Sequence, residues 1–132
     1  MSRQHRANMF KVSLASAALL VLAATTAAAE PSFSFHTVEY LPLEQREAAA
    51  KAFLADKAQA GTSMQAAVQA LRTAGAHCSA PRAGSAVVPC MSSSLERDPG
   101  GDMSDITWRI DLTPSSQDTV ASAAVTRTRA GL

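Results

Sequence analysis

The stretch Ile106-Thr107-Trp108-Arg109-Ile110-Asp111-Leu112 alternates without a break: Ile106, Trp108, Ile110 and Leu112 share one parity, and Thr107, Arg109 and Asp111 the other. Side chains on a strand alternate faces, so this pattern predicts a strand with one side on a core and the other toward water. Downstream, Pro114 to Asp118 supply a turn, and Thr119 to Thr128 form a weaker strand carrying Val120 and Val125. Upstream, Ala76 to Ser79 and Ala86 to Ser92 read as two short strands around Pro81-Arg82-Ala83-Gly84, each with a cysteine. Pro89 lacks a ladder donor and belongs at an edge or a bulge. Ser93 to Asp105, around Asp98-Pro99-Gly100-Gly101-Asp102, reads as a polar loop. Short turns between successive strands pair them antiparallel, which gives a meander of three or four strands.

Before the strands the periodicity is helical. Leu43, Ala50, Phe53 and Leu54 recur at helical spacing in a segment that Pro42 opens and Gly61 ends. A second helix starts at Thr62, whose hydroxyl can cap it while Gln65 reaches back as in a capping box. Met64, Val68 and Leu71 form its stripe, and Gly75 suits the left-handed residue that closes a helix. The fold class is α+β: a helical hairpin at the N-terminal end of the domain, packed on the antiparallel meander. Residues 43–132 make this single small domain, and residues 30–42, with Phe33, Phe35 and Leu41 against His36, Val38 and Tyr40, read as an extended arm or edge strand.

Residues 1–29 have the parts of a secretory signal peptide in order. Arg3, Arg6 and Lys11 form the basic region, Val12 to Ala24 an apolar run, and Ala27-Ala28-Ala29 a small-residue cleavage site before Glu30. The run would extend about 20 Å as a helix, short of a bilayer core, so no integral span is expected. The competing reading is a buried N-terminal helix, but the run lacks the amphipathic stripe such a helix shows. The expected location is the periplasm or the medium.

Of 132 residues, 12 are Lys or Arg and 11 Asp or Glu, with 47% apolar and 5% aromatic. Beyond residue 29, 9 basic and 11 acidic side chains remain, a balance that offers no clustered basic surface for nucleic acid. That part holds 23 Val, Ile, Leu, Met, Phe, Tyr or Trp against 19 Ala, so its core is thin. In an oxidising compartment Cys78 and Cys90 pair and close a 13-residue loop. A free thiol, or a metal site recruiting His77 and His36, are the alternatives, and neither histidine has ligand spacing to another.

The element order resembles a known family. Two short helices joined by Gly61-Thr62-Ser63, a Gly-x-x-Cys exit from Gly75 to Cys78, and a meander whose central strand carries Trp108 look like the SmpA/OmlA (BamE-like) outer-membrane assembly lipoproteins and the related β-lactamase inhibitor protein fold. The similarity covers roughly Phe53 to Arg129. It implies a binding or scaffold protein rather than an enzyme and assigns no individual residue. This chain departs from the family in having no Cys at the cleavage point for a lipid anchor.

Catalytic patterns are sparse. No Ser lies in a Gly-x-Ser-x-Gly elbow, and His77 beside Cys78 points to the opposite face of a strand. Asp98, Asp102 and Asp105 match no complete calcium loop, and a solvated turn is the simpler reading. Gly100-Gly101 precedes a strand, not the helix a phosphate cradle needs. No catalytic, cofactor or metal residues are assigned. Trp108, Arg127 and Arg129 are candidate interface residues, weighed against a core Trp and a hydrated arginine pair at a strand end. The expectation is an exported, non-catalytic domain that binds a protein of the cell envelope. The alternatives are an inhibitor of an exported enzyme, acting through the free face of the meander or the Asp98 to Asp102 loop, and a small enzyme with a Cys-His or acidic site.

Overall fold

The computed structural model describes residues 32–132, and the expected signal peptide lies outside them. Two helices, α1 (Leu43–Lys57) and α2 (Met64–Thr73), precede four strands: β1 (His77–Cys78), β2 (Val88–Arg97), β3 (Met103–Pro114) and β4 (Val120–Gly131). The strands form one antiparallel sheet in the order β1-β2-β3-β4, so the architecture is α+β. As the alternation requires, Ile106, Trp108, Ile110 and Leu112 on β3 are all buried, each at most 1% exposed. Burial of an aliphatic side chain of this size stabilises by roughly 1.5–3 kcal/mol, which makes this strand the main stabilising element of the sheet. α1 lies against β4 and places Ala50 and Leu54 in the core, while α2 contacts β1 and contributes Met64, Ala67 and Leu71.

Two elements are longer than the apolar pattern suggests. The expected polar loop from Ser93 to Asp105 is mostly strand, because β2 stays in register with β3 from Val88↔Leu112 to Arg97↔Met103. The hydrogen-bond ladder continues where one face needs no apolar residues, so only Asp98 to Asp102 turns. There Asp98 N–H donates to Asp102 C=O at 2.9 Å and Asp102 N–H to Asp98 Oδ1 at 2.9 Å, with Gly101 at φ +89°. β1 is correspondingly short. Ser79 N–H donates to the Pro89 carbonyl at 2.9 Å, but Pro89 has no N–H to return and pairing stops.

The cap of α2 is also displaced by one residue. Ser63 Oγ, not the expected Thr62, accepts from Ala66 N–H at 3.1 Å. Thr62 is held elsewhere, its carbonyl accepting Val120 N–H at 2.8 Å, so its backbone extends along β4.

The segment before α1 is neither an extended arm nor an edge strand. It coils into a 3-10 turn over Thr37–Tyr40, with Phe35 and Val38 buried. Phe35 N–H donates to the Ala74 carbonyl at 3.0 Å. The Phe35 ring lies 5.8 Å from Trp108, and Phe33 stacks on Phe53 at 4.5 Å. A chain so rich in alanine completes its core by folding these aromatics inward.

Candidate functional site

The two faces of the sheet differ. On the core face, β3 and β4 bring Trp108 and Arg127 together as a cross-strand pair, and the 3-10 turn brings Glu39 to both. Trp108 Nε1–H donates to Glu39 Oε1 at 2.6 Å. Arg127 grips the same carboxylate with two bonds, Nε to Oε1 at 3.0 Å and Nη2 to Oε2 at 2.7 Å. Arg46 from α1 adds Nη1 to Oε2 at 3.0 Å and anchors its own Nε on the Leu41 carbonyl at 2.9 Å. All three charged side chains are largely buried, between 12% and 14% exposed. Burial alone would push the Glu39 carboxyl up. The hydrogen bonds from Arg127 and Trp108, with the charges of Arg127 and Arg46, outweigh it and hold Glu39 below its ordinary range. The Glu39 hydrogen bond holds the Arg127 guanidinium above its own, against the effect of burial. The cluster is a structural clasp.

That clasp corrects two readings. Trp108 is 1% exposed and presents no surface to a partner. Arg127 is not a hydrated strand-end residue but a buried bidentate partner, and its guanidinium lies 5.9 Å from the centre of the Trp108 ring. Arg129 alone stays half-exposed, 3.8 Å from Glu96 and 4.0 Å from Asp98. The sequence signal missed Glu39 because two of its three partners, Trp108 and Arg127, stand 69 and 88 residues away.

The second face carries the residues of the other parity. Along β2 and β3, Met91 lies opposite Arg109, Ser93 opposite Thr107, Leu95 opposite Asp105 and Arg97 opposite Met103. Neither helix covers them. Met91 is 49% and Leu95 63% exposed, large apolar side chains in water. Among the described residues Arg109 pairs in charge only with Asp111, at 3.4 Å, while Arg97 and Arg82 make no ion pair. A hollow of about 190 Å³ at one end of this face is lined by His77, Arg82, Met91 and Arg109 among others.

The remaining sequence candidates fall into place around these faces. Cys78 and Cys90 form a disulfide across a directly opposed pair of β1 and β2. His77 is exposed beside it, and the bonded sulfur leaves no thiolate for a Cys-His pair. His36 stacks edge-on against Tyr40 at 5.8 Å. Asp98 braces the β2–β3 turn, and Asp105 is on the open face. Among the described residues no group of three His, Cys, Asp or Glu side chains is arranged to hold a metal ion. None of the described helices is long and apolar enough to cross a membrane. Compared with protein-family models, curated proteins and solved structures, the chain finds no match.

Proposed function

We propose that the protein is an exported, non-catalytic binding domain whose contact surface is the open face of β2 and β3. The observation that carries this reading is the pair Met91 and Leu95, exposed on the same face of one strand with Ser93 between them, with Arg97, Arg109 and Arg82 around them and Asp105 opposite Leu95. Apolar anchors in a frame of arginine suit a protein partner that offers a complementary apolar patch with acidic groups around it. The disulfide and the N-terminal Arg3 to Ala29 segment support export, with cleavage before Glu30 and residence in the periplasm or medium. The resemblance to the SmpA/OmlA assembly lipoproteins belongs to the same proposal, since it implies binding rather than turnover. Inhibition of an exported enzyme through this face is the second reading, favoured by the uncovered surface with its hollow beside Met91.

Affinity capture from envelope extract tests both, run with the wild type and with the Met91→Asp/Leu95→Asp double variant. Both positions point to water, so the variant keeps its fold. A barrel-assembly component retained by the wild type and lost by the variant supports a scaffold role; a hydrolase with that behaviour supports an inhibitor. Equal capture by both proteins refutes the face.

A further inference from the structure

The free edge of β4 borders a groove of about 500 Å³ between β4 and α1. Its walls include Leu54, Ala55 and Ala58 from the helix side and Ala123, Ala124 and Val125 from the strand, with Gln59 and Ser122 as polar members. β4 pairs with β3 on one side from Val120 to Gly131, with a bulge at Ala121. On the other side the pairing begins and then stops. Gly61 N–H donates to the Val120 carbonyl at 2.9 Å, Val120 N–H to the Thr62 carbonyl at 2.8 Å, and Ser63 and Thr119 form an antiparallel bridge. Past Val120 the partner chain turns away into α1, and no further backbone bond is made to this edge among the described residues. Protein edges are normally blunted by charge or proline. The segment Ala121-Ser122-Ala123-Ala124-Val125-Thr126 has neither.

We propose that this groove accepts an extended segment of a partner protein as a fifth strand, continuing the antiparallel line that Gly61 to Ser63 begin. Main-chain bonds to β4 supply the affinity, and the small alanine side chains let the guest backbone approach closely. Leu54, Ala58 and Val125 are apolar, so the guest directs apolar residues inward at alternate positions. Lys51 stands at the rim, only loosely paired with Glu47 at 3.7 Å, and selects an acidic residue at the guest's end. A second copy is the poorer occupant: pairing two β4 strands about a two-fold axis would set the two α1 helices face to face, both presenting Lys51. This edge is separate from the open face, and either site can fail without the other.

The probe is the capped peptide Glu-Val-Thr-Val-Thr-Val-Glu, added to the full chain and followed by backbone amide hydrogen exchange. Slowed exchange confined to residues 121–126 is the expected result. The peptide with its central Val replaced by Pro loses a donor and should bind at least about tenfold more weakly. Ala55→Trp fills the groove from an exposed helix position and should weaken binding by a similar factor, with the exchange of Ile110 and Leu112 unchanged as the check on the fold. Absence of binding, protection on β2 instead, equal binding by the Pro peptide or by Ala55→Trp, or a peptide-free dimer already protected at 121–126 each overturns the proposal.

Discussion

Glu39 receives four hydrogen bonds from three side chains, and its carboxylate must be charged to accept all of them. Its carboxyl is held below the ordinary 4.5 in the folded state and is released to that value on unfolding. The stability it contributes is therefore complete above about pH 5 and fades as pH falls through the lowered folded-state value. Urea unfolding across the acid range should show that decline. Glu39→Gln should flatten it and cost about 2–4 kcal/mol near neutrality, because Arg46 and Arg127 are left charged in a largely buried site. An unchanged acid slope in the variant would remove Glu39 from the account. In Thr-Val-Glu-Tyr nothing marks this residue: a carboxylate that ties distant elements looks in sequence like any solvated one. The arginine it binds was visible, but its burial was not, since the alternation that predicts β4 is weak beyond Val125.

At the scale of elements, β1 has two residues and one covalent tie, so it depends on the tie. Replacing Cys78 and Cys90 together by Ser should lower stability by about 2–4 kcal/mol, as the loop between them regains its freedom in the unfolded chain. Amide exchange should rise first at His77 and Cys78, and thiol labelling of the native protein should find nothing before reduction. A free thiol in the native protein refutes the pairing. This element was legible because cysteine pairing and Pro89 both act locally. The same holds for β3, whose alternation is complete. The far half of β2 was not legible, because Ser92-Ser93-Ser94 carries no apolar period and gains its strand conformation from the ladder with β3. The helix cap shows the limit of local rules in another way. Thr62 and Ser63 have equivalent hydroxyls, and a backbone bond to Val120 decides between them.

For the whole molecule, the decisive correction concerns residues 32–41, which supply Phe35, Val38 and Glu39 to the core and the clasp. Loose alternation over so few residues fits a strand as well as a coiled turn, and only the shortage of large apolar side chains elsewhere hints that these aromatics are needed inside. A chain beginning at Pro42 should lose the fixed environment of Trp108, seen as loss of near-ultraviolet circular dichroism with dye binding to exposed apolar surface. A chain beginning at Glu30 should retain it. Equal spectra for the two would return the segment to the role of a dispensable arm.

The clasp also sets a clock. Glu39 emerges from the ribosome 88 positions before Arg127. Contacts of such sequence separation form late, after loop closure has been opposed by chain entropy. Until β4 is available Glu39 has only Arg46 and Trp108 to hold, and the clasp across the sheet stays open. Under the export reading that delay is useful: a polypeptide whose clasp cannot close before β4 is made remains a thread for the translocation channel, and the clasp locks only after that strand has passed through.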